Sequence, residues 1–148
     1  MVELKSYCPP APAAPIYWSD IGIPAHGAEL YQCVQQGLEY AVLSRMASIS
    51  GFSVQTLAAI TGLSAYALHR ARQCGRWSSM QSDRLIRTAR VLHAAQALFG
   101  GDWGLARHWL ITPQWALKDR RPLDCLLTEV ESRVVLDLIG QIGHGIAI

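Results

Sequence analysis

A chain of 148 residues is long enough to bury a hydrophobic core without disulfide or metal staples. With 51% hydrophobic and only 16% charged residues it lies outside the disordered and low-complexity classes, and so high an apolar content points to an associating partner. The net charge of +2 hides an uneven distribution: residues 1–44 carry −3, residues 45–100 carry +6, and residues 101–148 carry −1. The middle segment holds Arg45, Arg70, Arg72, Arg76, Arg84, Arg87 and Arg90 against Asp83 alone. Concentrated arginine suggests a polyanionic partner, because each phosphate contact releases condensed counterion. A solvated helix face is the alternative that charge by itself leaves open.

Residues 1–27 form the first unit, read as a mobile proline-rich arm around the run Pro9 to Pro15, which favours polyproline II and cannot donate a regular hydrogen-bond ladder. From Ala28 to Ala47, Leu30, Val34, Leu38, Ala41, Val42 and Met46 recur at three- and four-residue steps, predicting one amphipathic helix that ends near Gly51. Ser53 and Ser64 are the expected N-caps of the next two helices. Ser78 with Gln81 makes a capping box for a long helix to about Phe99, with Leu85, Ala89, Leu92, Gln96 and Phe99 on one stripe and Gly100-Gly101 as its stop. Beyond it the elements shorten: Asp102 caps Trp103 to Leu110, Thr112-Pro113 opens Gln114 to Leu117, and Pro122 opens Leu123 to Leu127. Thr128 and Glu131 form a second capping box for a last helix to about Ile142, with Val134, Leu138 and Ile142 facing the core and Arg133, Asp137 and Gln141 on the polar side. Trp103, Trp109 and Trp115, at six-residue steps, do not share a helix face and read chiefly as core, with one at an interface. No alternating strand pattern of useful length occurs, so the fold is expected to be all-α with seven to nine helices.

The four cysteines at positions 8, 33, 74 and 125 form no CxxC pair and keep no ligand spacing to the histidines, so neither a metal site nor a disulfide framework is expected. The thiols read as reduced, in a cytoplasmic protein. No signal peptide is expected behind Glu3, and the longest stretch without Lys, Arg, Asp or Glu, Met46 to His69, is too interrupted by polar residues for a membrane span. Neither a P-loop nor GxGxxG occurs, and His26, His69, His93, His108 and His144 do not pair by spacing with a Ser or Cys nucleophile. No cofactor and no catalytic residue is assigned, and an enzyme is not expected.

Residues 54–73, VQTLAAITGLSAYALHRARQ, have the spacing of a helix-turn-helix. Leu57, Leu63, Leu68 and Ala71 supply the apolar contacts, Ala58 is small at the crossing, and Gly62 stands where positive φ is needed. Ser64 then begins the recognition helix, whose outward side chains are Ala65, Tyr66, His69, Arg70 and Gln73. Arg70 is best placed for a bidentate contact to guanine, while Arg72 and Arg76 are candidate phosphate contacts. In an ordinary bundle the same helix pair, with Tyr66 and His69, would be packing or solvated surface.

The second half carries a family resemblance. Its residues are Leu98-Phe99-Gly100, Ala106, Trp109-Leu110, Pro113, Ala116-Leu117, Pro122-Leu123, Val134 or Val135, Leu138 and Gly143-His144-Gly145. Upstream, Gly37-Leu38, the helix-turn-helix and Ser82-Asp83-Arg84-Leu85 match as well, so about residues 30–148 resemble Xre/MbcA/ParS-type antitoxins. One departure is Glu131, where the family often has glycine before the last helix; here the Thr128/Glu131 box takes the place of that turn.

The resemblance implies a helix-turn-helix domain at residues 28–97 followed by a small helical toxin-binding domain at 98–148. It also implies a RES-domain toxin that consumes NAD as partner, a homodimer within a toxin–antitoxin hetero-oligomer, repression of the chain's own operon, and coverage of the toxin's active site by the C-terminal region. Candidate toxin-binding residues are Arg133, Asp137 and Gln141 with the tail Gly143, His144, Gly145, Ile146, Ala147 and Ile148. The tail has two glycines and no Lys, Arg, Asp or Glu side chain, so it suits a narrow cleft, with packing back onto its own domain as the alternative. Two other functions fit the residues less fully: a protein-interaction module with a degenerate helix-turn-helix, and a stand-alone helix-turn-helix repressor.

Overall fold

Side-chain caps set the starts of the five α-helices from Val54 onward in the computed structural model, which describes residues 16–24 and 27–145. Its elements are α1 (Ile16–Ile21), α2 (Ala28–Gln36), α3 (Ala41–Ser50), α4 (Val54–Thr61), α5 (Ala65–Cys74), α6 (Ser79–Leu98), α7 (Trp103–Ile111) and α8 (Glu129–Gly143), with 3-10 turns at Trp115–Leu117 and Pro122–Asp124. The Ser53 hydroxyl accepts from the Thr56 N–H at 3.0 Å, and the Ser64 hydroxyl from the Ala67 N–H at 3.1 Å. Ser78 and Gln81 form the reciprocal box, and Asp102 accepts from the Leu105 N–H at 3.1 Å. Each cap satisfies a helix-end donor that would otherwise stay unpaired, worth about 1 kcal/mol. The chain is all-α: among the described residues two isolated bridges are the whole of the β pairing.

The twenty-residue α6 organises the core. It packs against α2, α3 and α4 before it in the chain and against α7 and α8 after it. Its Leu85, Ile86, Ala89, Val91, Leu92 and Ala95 are buried in one continuous apolar cluster that reaches from Tyr17 to Ile139. No break in that cluster falls at the boundary expected between residues 97 and 98. Among the described residues, no helix is long and apolar enough to cross a membrane.

Four expectations are corrected. The single helix expected from Ala28 to Ala47 is two helices, α2 and α3, broken at Gly37. Gly37 has φ 89°, and a Cβ there would collide with the Trp77 carbonyl oxygen. The break lets residues 37–40 lie along residues 75–77: Tyr40 N–H donates to Gly75 O and Trp77 N–H to Leu38 O, both at 2.9 Å. The amphipathic pattern persists across the break because α3 is buried in the same core against which Leu30, Cys33 and Val34 of α2 pack from its edge.

The arm expected over residues 1–27 does not hold for residues 16–24, where α1 and its exit place Tyr17, Trp18, Ile21 and Ile23 in the core. Tyr17 stacks on His93 with ring centroids 5.2 Å apart and lies 5.9 Å from Trp103. The proline run, Cys8 and His26 lie outside the described residues. On α8 the buried stripe is Val135, Leu138 and Ile139 with Ile142 packed against it, so Val134, expected in the core, faces out. Finally, only the Thr128 half of the second capping box forms: its hydroxyl accepts from the Glu131 N–H, while the Glu131 carboxylate pairs with Arg120 at 2.9 Å.

Candidate functional site

Two exposed surfaces stand out on this core. The first is the outer side of α5. Leu57, Ala58, Leu63, Ala67 and Ala71 are buried between α4, α5 and the rest of the core, and Leu68 packs at its edge. Gly62, at φ 75°, ends α4 in the left-handed conformation that glycine adopts without steric penalty, which turns the chain into α5 within three residues. The carbonyl of Gly62 accepts from Arg84 on α6 at 3.3 Å, and a methyl of Leu127 lies against the same glycine.

This anchoring leaves Ala65, Tyr66, His69, Arg70, Arg72 and Gln73 exposed. Tyr66, at 70% exposure, places its hydroxyl 3.5 Å from the Arg70 guanidinium one turn on. Ser64 is occupied as the cap of α5. Arg76 stands apart from Arg70 and Arg72, because its guanidinium donates to Gly37 O at 2.9 Å and so fastens the break between α2 and α3.

The second surface is the solvent side of α8 and the segment preceding it. Val130 and Val134, one turn apart, are 75% and 47% exposed, and Trp115 in the preceding turn is 79% exposed. Val130 and Val134 line a hollow of about 240 Å³ with Ala116, Leu117, Lys118, Arg120, Cys125 and Glu131. A second hollow of about 240 Å³ shares Ala116, Leu117 and Val134 and adds Asp137, Leu138 and Gln141, so the two run together as one groove along the helix. The loop wall is built tightly: Gln114 N–H donates to Arg120 O and Asp119 N–H to Gln114 O, at 3.1 and 3.0 Å. Lys118 and Asp119 take φ of 57° and 61°, a left-handed pair that costs non-glycine residues roughly 1–2 kcal/mol each.

Charges around the groove are largely matched. Arg120 pairs with Glu131, Arg121 with Asp124 at 2.6 Å, and Arg133 with Glu129 at 3.3 Å. Arg121 holds the Asp124 carboxyl below the usual carboxylate range, chiefly by hydrogen bonding, and burial pushes the Cys125 thiol up, keeping it protonated. Glu129 also pairs with Arg87 of α6 at 2.9 Å.

Of the residues assigned from sequence to the last helix and tail, Arg133, Asp137 and Gln141 are exposed on α8 and Gly143 is its final residue. His144 and Gly145 follow, exposed, while Ile146, Ala147 and Ile148 lie outside the described residues. Lys118 and Val130 of the groove wall carry no assignment from sequence, and Ala116-Leu117 enter only through the family resemblance. A further signal in the sequence is Leu127, Val130 and Val134 at steps of three and four, a second apolar stripe beside the buried one.

Comparison with known proteins covers both surfaces. Residues 94–145 match the antitoxin Xre/MbcA/ParS C-terminal toxin-binding domain. Over 146 residues the chain is 34% identical to an antitoxin Xre of Yersinia enterocolitica, covering 97% of this chain and 99% of that protein. An antitoxin Xre of Photorhabdus laumondii is 30% identical over 133 residues, 87% of this chain and 88% of the relative. A shorter match, 34% over 65 residues, joins 44% of the chain to 40% of an antitoxin Xre of Pseudomonas putida. The chain belongs to the Xre/MbcA/ParS-type antitoxin family.

Proposed function

We propose that this protein is a type II antitoxin that binds and inhibits a RES-domain, NAD-consuming toxin through its C-terminal part and, as a homodimer, represses its own operon through α5. The observation that carries the reading is the end-to-end match to antitoxins in a chain that exposes two separate surfaces on one core. Supporting the toxin-directed part, the stretch matching the toxin-binding domain contains the exposed side of α8 and the beginning of the tail. Because the tail leaves a firmly packed helix, that anchor lowers the entropy lost when a narrow cleft takes the tail up, and this offsets part of the freedom its glycines give up.

Supporting the DNA-directed part, α5 offers Arg70, Arg72, His69 and Gln73 on one accessible surface, side-chain types that reach base edges and phosphates in a major groove. One ten-residue helix reads few bases, so a two-fold dimer spanning half-sites about 34–36 Å apart supplies the remaining affinity. The test is to purify the product of the neighbouring reading frame, add the full chain to it and follow NAD. Loss of NAD consumption at an equimolar ratio is expected, and consumption that persists with excess chain overturns the reading.

A further inference from the structure

We infer that the groove along the solvent side of α8 is the toxin's anchoring site. It takes a short toxin segment that presents apolar side chains between an acidic group at one end and a cationic or hydrogen-bond-donating group at the other. The inference rests on the antitoxin reading and adds to it a division of labour, in which the groove supplies affinity and the tail beyond Gly143 supplies inhibition.

Shape comes first. Each half of the groove encloses about 240 Å³, below the roughly 300–1,000 Å³ of sites that hold small molecules but adequate for single side chains of a docked segment. The half nearer Lys118 is apolar, with Ala116 and Leu117 on the loop wall and Val130 and Val134 on the helix wall, whereas the other half mixes Val134 and Leu138 with Asp137 and Gln141. Two exposed valines a turn apart on the outer face of a firmly packed helix, lining one hollow with Ala116 and Leu117, form an apolar patch of the kind that marks a protein contact.

Charge then sets the direction. With Arg120 matched by Glu131 and Arg133 by Glu129, the groove-lining charges not ion-paired among the described residues are Lys118 and Asp137. They line different halves, Lys118 beside Val130 and Asp137 beside Gln141. A segment with the opposite polarity is favoured in one orientation and disfavoured when reversed.

The partner follows from position, because every lining residue falls within the 94–145 stretch that matches the toxin-binding domain. The Asp137–Gln141 end is also where the chain leaves α8 at Gly143. A toxin seated in the groove is thereby held next to the tail, whose insertion becomes an intramolecular step.

The experiment measures binding of the same toxin by calorimetry to the full chain, to Val134→Asp, to Lys118→Glu and to a chain ending at Ile142, with a thermal melt of each. Val134→Asp is expected to weaken binding by at least about 30-fold, as for a central contact of an interface. Lys118→Glu is expected to weaken it about 5- to 10-fold, mostly through slower association. Both sites are exposed, so unchanged melting is expected. The truncated chain is expected to stay within about 10-fold of full affinity while losing inhibition. If the full chain does not bind, the antitoxin reading falls and takes the groove with it. If the full chain binds and both point variants bind equally well, only the groove is overturned, and the same holds if truncation alone abolishes binding.

Discussion

The backbone N–H of Leu38 donates to the hydroxyl of Ser82 at 2.9 Å, joining two buried residues 44 positions apart. It ties the break between α2 and α3 to the first turn of α6. Removing the acceptor leaves a buried donor without a partner, so Ser82→Ala is expected to destabilise the fold by about 1–3 kcal/mol, read as a shift of the urea midpoint at constant slope.

Gly37 and Gly75 separate steric from conformational cost. Both have positive φ, but a Cβ at Gly75 meets nothing within 4 Å, whereas at Gly37 it strikes the Trp77 carbonyl. Gly75→Ala is expected to cost about 1–2 kcal/mol. Gly37→Ala should cost clearly more, because backbone rather than a flexible side chain must move. Paired denaturation curves check the order.

Proposed base reading by Arg70 and structural support by Arg76 are separable by experiment. Arg70→Ala is expected to reduce operator affinity by about 1–3 kcal/mol and to relax base preference, with no change in melting. Arg76→Ala is expected to weaken binding to all sequences alike and also to lower the melting temperature, because its bond to Gly37 O is lost. Fluorescence titration over a salt series, run beside thermal melts, distinguishes them.

Deleting Gly143 to Ile148 is expected to restore NAD consumption by the toxin while leaving operator binding intact. Arg70→Ala is expected to do the reverse. Enzyme assay and titration on the same two preparations check the pair.

His93 makes stability depend on pH. Half-buried and stacked on Tyr17, it has its pKa held below the ordinary 6.5 by desolvation. The unfolded chain therefore takes up the proton at higher pH than the folded one. This contribution is fully present above the unfolded value and is lost as pH falls through the lower, folded value. Melting temperature is expected to fall between pH 7 and pH 5, with a shallower slope in His93→Phe.

Helix starts were legible wherever the determinant is local. Ser53, Ser64, Ser78, Asp102 and Thr128 each cap a donor three residues on, a distance any sequence window contains. The break at Gly37 was not, because its cause is a carbonyl 40 residues away. Six-residue α1 is too short to show a period, and its place in the core depends on His93 and Trp103. The choice between Val134 and Val135 turned on one residue: the steps of four joining Val134, Leu138 and Ile142 drift about 40° each round the helix, while the buried face follows Val135, Leu138, Ile139 and Ile142. The exposed face of α5 was readable from the pair's own spacing. The groove was not, since one wall comes from a loop whose fold rests on Gln114 and Arg120.

Gly62 is backed by Arg84 of α6 and by Leu127 from the C-terminal part, so the turn that aims α5 leans on α6 as well as on its own backbone bonds to Ala58 and Ala59. Cutting the chain within α6 exposes Leu85, Val91 and Leu92 together and withdraws that support at the same moment. A protease that breaches this helix is therefore expected to end both proposed activities, repression and toxin inhibition, in one event, giving them a single lifetime.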